Sequence, residues 1–64
     1  MTRHDYEIIA TALAQALAEA DVKEAHGVRM SIEHISHALQ IQNDCFQPSK
    51  FARFIHQQWA SIKS

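Results

Sequence analysis

Five histidines and one cysteine are the side chains of this 64-residue sequence best suited to metal or nucleophile chemistry. His34 and His37 lie three residues apart, close enough to share one face of a helix, and Cys45 follows. Imidazole and thiolate together are zinc ligands, but a structural zinc site takes four ligands, usually as two close pairs. No second pair is present, and His56 would have to be delivered by the fold. The pattern therefore favours His34 and His37 as polar surface residues flanking an Ile32–Ile35–Leu39 stripe, and no metal and no cofactor is expected. Cys45 with a nearby histidine would suit a thiol nucleophile. No glycine loop exists to hold an oxyanion, so Cys45 reads as a small, partly buried hydrophobe. A pH-sensitive histidine interface is disfavoured because the histidines are spread over the whole chain. One glycine cannot make a phosphate loop. The chain is not expected to be an enzyme.

These residues must be positioned by a very small domain. About half of the chain (47%) is apolar, too much for disorder, yet a domain this size buries only about 60% of its unfolded surface. A single cysteine excludes an internal disulfide network, and no apolar run approaches the ~18 residues of a membrane span. The opening Met1-Thr2-Arg3-His4-Asp5 turns acidic where a signal peptide would become apolar, so a cytoplasmic protein is expected.

Gly27 and Pro48 punctuate three segments, and each reads as helix. The first is predicted over 3–26, with Thr2 as N-cap, Asp5 in the first turn and a stripe of Tyr6, Ile9, Leu13, Ala16, Leu17 and Ala20. Seven alanines between Ala10 and Ala25 add helix propensity and offer a smooth surface for close packing. Gly27 is the expected stop. Asp21-Val22-Lys23-Glu24 also fits a loose capping pattern, which would break the helix near Asp21, but one long helix is preferred. The second helix is predicted over 31–43, capped by Ser31, with Ile32, Ile35, Ala38 and Leu39 inward and Asn43-Asp44 ending it. The third, 48–62, starts on Pro48 and carries the heaviest apolar stripe: Phe51, Phe54, Ile55, Trp59 and Ile62.

Charge is divided unevenly. Residues 1–44 hold three basic and seven acidic side chains, while 45–64 hold Lys50, Arg53 and Lys63 with no acid. Two oppositely charged solvated faces are the plain reading of that split. A helix-turn-helix DNA binder is the alternative. Ile35, Ser36, Leu39 and Ile41 would then pack the first helix, and Lys50, Arg53, His56 and Gln57 would face the major groove. Against it stand a long, glycine-free turn from Gln42 to Gln47 and a net charge of −1.

Aromatic placement points towards protein binding. Phe46, Phe51, Phe54 and Trp59 crowd the last third of the chain, and with Ile41, Ile55 and Ile62 they exceed what one short helix pair can cover. An uncovered apolar patch marks association, and tryptophan is a frequent anchor.

The stretch from Ser36 through Asn43 to Phe46, followed by Phe51, resembles small accessory proteins encoded by bacteriophages and prophages. Those often end in a helix, then Asn-Pro-x-Phe-Asp, then a short helix opening with Arg-Phe. Asn43, Phe46 and Phe51 keep that spacing, and Tyr6-Glu7-Ile8-Ile9-Ala10 is similar to the Tyr-x-x-Ile-Ala opening of the same group. Asp44 stands where the pattern has proline, Gln47-Pro48 replaces its aspartate cap, and the last helix runs on through Trp59. The resemblance implies an origin, and with it a class of function: stoichiometric blocking of a bacterial host protein, as in anti-defence and anti-CRISPR inhibitors.

The expectation is thus an all-α, three-helix domain spanning 1–64 that forms a homodimer, with a long first helix and a helix 2–helix 3 hairpin. Its partner-binding surface is expected at Arg53, His56, Gln57 and Trp59 on helix 3, or at Glu19, Asp21 and Glu24 on the acidic face of helix 1.

Overall fold

A computed structural model describes residues 2–64. Three helices account for nearly all of it: α1 (Arg3–Glu19), α2 (Val22–Gln42) and α3 (Pro48–Lys63). The all-α, three-helix expectation holds, with one boundary moved.

α1 starts where Thr2 places it. The Thr2 hydroxyl accepts from the Asp5 backbone N–H at 3.3 Å, and the Asp5 carboxylate accepts from the Thr2 N–H at 2.9 Å. This reciprocal capping box satisfies two backbone donors at once. The Thr2 backbone bond, helped by the Thr2 side chain, holds the Asp5 carboxyl below its ordinary range.

The first helix does not continue to His26. It ends at Glu19, Ala20 turns extended, and Asp21 opens α2 with a second capping box. The Asp21 carboxylate accepts from the Glu24 N–H at 2.8 Å, and the Glu24 carboxylate accepts from the Asp21 N–H at 2.9 Å. α2 then passes straight through Gly27, whose backbone has no positive φ. Glycine inside a helix costs only about 1 kcal/mol, which is too little to break one that is well capped upstream. Ser31, expected as a cap, lies mid-helix and its hydroxyl donates to the Gly27 carbonyl at 3.0 Å. The longest helix is therefore α2, not α1.

Pro48 opens α3 as expected, and α1 and α3 form the main interface. At its centre lie Ala10 and Ala14, both with no exposed surface, against Phe51 and Ile55. Small residues on one helix let large ones on the other fill the space between the axes. The buried face of α1 is thus rotated from the predicted stripe. Tyr6, Ile9, Leu13 and Leu17 flank it half-buried, while Ala16 faces solvent. α2 packs more lightly and has no buried residue: Ile32, Ile35 and Leu39 are half-buried, and Ala38 is exposed rather than inward.

Asn43 ends α2 and fastens it. Its side-chain amide donates to the Tyr6 hydroxyl at 3.0 Å, and its side-chain oxygen accepts from the Cys45 N–H at 3.0 Å. That turn drives Phe46 inward, where its ring lies 5.1 Å from Tyr6 and 5.4 Å, edge-on, from Phe51. Cys45 is exposed, correcting the partly buried position expected for it.

Candidate functional site

The face of α3 turned away from the core carries Arg53, His56 and Gln57, all exposed. Trp59 lies on its flank, half-buried, with its ring stacked on His56 at a centroid distance of 5.7 Å. Glu19, Asp21 and Glu24 are exposed around the α1–α2 corner. The sequence offers these groups as two alternative surfaces; the fold brings one residue of each, Asp21 and Trp59, to the same place. Asp21 and Trp59 line one shallow hollow of about 210 Å³, with Arg29 and Lys63 contributing to the same lining.

Val22 also lines that hollow and is 90% exposed, the most exposed of the large apolar side chains among the described residues. The capping box puts it there. Asp21 and Glu24 fix the first turn of α2, and Val22 at the first helical position points away from the packed face. Sequence reasoning passed over Val22 because it preferred one long helix through residues 3–26, in which Asp21 caps nothing. The usable signal was its place immediately after a capping aspartate.

A second concavity lies at the opposite end of α1. It is an open groove of about 500 Å³ between the start of α1, the α2–α3 connection and the first turns of α3. Tyr6, Phe46, Phe51 and Phe54 line it with aromatic surface, and Arg3 and Lys50 supply cations against the single acid Glu7. Phe46 and Phe51 are themselves almost fully buried, so most of that aromatic surface already belongs to the core.

Among the described residues, no three His, Cys, Asp or Glu side chains converge on a point that could hold a metal ion. His34 and His37 are exposed on α2, and His56 is engaged with Trp59 on α3. No helix among the described residues is long and apolar enough to cross a membrane. Of the helix-turn-helix positions, Ile35, Ser36 and Leu39 are half-buried, but Ile41 is 65% exposed.

No protein-family model, curated protein or solved structure matches this chain. The residues that resemble the phage pattern can still be placed. Tyr6, Asn43, Phe46 and Phe51 converge on the fastening of the three helices, at the end of the molecule away from Val22 and Trp59.

Proposed function

We propose that this chain is a non-enzymatic binding protein that occludes a bacterial host protein, in the manner of a phage-encoded anti-defence or anti-CRISPR-like inhibitor acting in the host cytoplasm. The observation that carries the binding role is Val22, 90% exposed at a corner framed by Glu19, Asp21 and Glu24, with Trp59 lining the same hollow. Holding a valine in water forgoes roughly 1.5–3 kcal/mol of burial, which a partner would recover. Trp59, lining the same hollow beside this apolar projection, supplies a large anchor, and Asp21, Arg29 and Lys63 around it supply charge of both signs. The phage origin and the host target rest on the resemblance of Asn43, Phe46 and Phe51. The reading includes the expected homodimer, and neither cofactor nor catalytic residue has a part in it.

The test is capture of partners from bacterial lysate by tagged protein, with and without nuclease. The proposal predicts one protein at a fixed ratio that survives nuclease and is lost with Trp59→Ala. Recovery that vanishes with nuclease would move the assignment to a DNA-binding role for Lys50, Arg53, His56 and Gln57, which are exposed together on α3.

A further inference from the structure

His34 and His37 lack a second close pair of ligands within the chain, and the fold shows where one can come from. Both are exposed on the outer side of α2, between two exposed apolar side chains. Met30, one turn before His34, is 47% exposed, and Ile41, one turn after His37, is 65% exposed. At 3.6 residues per turn the four fall within about 60° of arc. Ile32, Ile35 and Leu39 pack towards the core from the opposite side of the same helix.

This stripe reads the same from both ends. Apolar, histidine, histidine and apolar follow at spacings of four, three and four residues, the seam spacing of paired helices. A two-fold axis at the level of Ile35 and Ser36 therefore lays the stripe on itself in a second, antiparallel copy. Met30 of each copy meets Ile41 of the other, and His34 of each meets His37 of the other. Four imidazoles then surround the axis. Four is the ligand number of a closed zinc site, and side chains three apart on one helix ligate metals together in helical bundles.

Nothing on the seam opposes that approach. None of its four residues carries a fixed charge. Gly27, Ser31 and Ala38, small and exposed, border one flank, and the Ser31 hydroxyl is already satisfied by the Gly27 carbonyl at 3.0 Å. Glu33, one turn before His37, borders the other flank and adds negative charge near a bound cation.

We propose that two copies pair antiparallel through the outer face of α2 and hold one Zn²⁺ between them with His34 and His37 of each. This gives the homodimer of the proposed function a location and does not depend on the corner around Val22. The site is incomplete without the second copy, since among the described residues of one chain no third His, Cys, Asp or Glu joins the pair. About three turns of helix on each side fall short of the ~800 Å² per partner of a stable interface. Met30 and Ile41 set the register, and the metal supplies the affinity that this area lacks.

Sedimentation of the full chain at about 50 µM, first in chelator and then with half an equivalent of zinc, reads this directly. The wild type is expected to be monomeric in chelator and dimeric with zinc, saturating at one metal per two chains. His34→Ala and His37→Ala should each weaken zinc-dependent pairing about tenfold or more. Cys45→Ser removes the only thiol and should leave pairing intact. Met30→Glu combined with Ile41→Lys should still pair, because each new acid meets a new lysine of the other copy. Met30→Glu combined with Ile41→Glu should weaken pairing about tenfold or more.

All the substituted side chains are exposed, and circular dichroism of each variant controls for folding. A wild type that stays monomeric with zinc, or is already dimeric in chelator, overturns the proposal. So does a His34→Ala chain that pairs like the wild type, or an acid–lysine chain that fails to pair. Capture of a host protein by a chain that zinc leaves monomeric would remove this site and leave the binding function standing. A zinc-dependent dimer with no host partner would do the reverse.

Discussion

The two ends of α1 are built from similar residue types and put them to opposite uses. At the N-terminal end, Tyr6, Asn43, Phe46 and Phe51 bring all three elements together through aromatic packing and a 3.0 Å hydrogen bond. At the C-terminal end, Val22 stands in solvent and Trp59 is only half covered. One end spends its apolar surface inside the chain, and the other leaves it available. A capping box explains much of the difference, because it stops the helix by backbone hydrogen bonds and needs no apolar contact to do so. The corner is thus ordered without being covered. A domain of this size can hold such a surface only if the other end carries most of the stability.

The largest effect should come from the fastened end. Phe51→Ala empties the centre of the α1–α3 interface and is expected to cost about 3–5 kcal/mol, enough to abolish a cooperative thermal transition. Asn43→Ala removes both the bond to Tyr6 and the turn that seats Phe46, and a loss of about 1–2 kcal/mol in urea unfolding is expected.

At the free end the effects on stability shrink. Asp21→Ala removes one half of the capping box and should cost about 1 kcal/mol. Gly27→Ala should stabilise by about 0.5–1 kcal/mol, because Gly27 is helical and an added Cβ meets nothing within 4 Å. If Gly27 were instead the stop between two helices, the same change would destabilise. Val22→Ser should alter the melting temperature little, with stability within about 0.5 kcal/mol of wild type.

The smallest effect is a dependence on pH. Asp5 has its carboxyl lowered from 3.8 by the Thr2 bonds, so its contribution is present above that value and fades as pH falls below it. The stability gap between wild type and Asp5→Asn should therefore be constant near neutrality and narrow in acid. A gap that widens in acid would contradict the capping role.

Much of this fold was legible in the sequence. Thr2 with Asp5, Pro48 at the start of α3 and the Phe51–Ile55 spacing each sit where local chemistry puts them. The break at Asp21 was legible as an alternative, but Gly27 drew the boundary because a lone glycine is a familiar stop. A glycine stops a helix only when the backbone takes the left-handed turn, and here it stays helical. The inward face of α1 was harder to read. Alanines at Ala10, Ala12, Ala14, Ala16 and Ala18 fall on two opposite sides of the helix, so only the partner helix decides which are buried. The approach of Asp21 to Trp59 joins residues far apart in sequence, and no local pattern announces it.

The account turns on the corner being available for binding and dispensable for folding. The direct measurement is the affinity of a captured partner for wild type and for Val22→Glu, with the melting temperature of each. The account predicts binding weakened at least about tenfold with melting nearly unchanged. Equal affinity, or a melting temperature that collapses with the substitution, would contradict it.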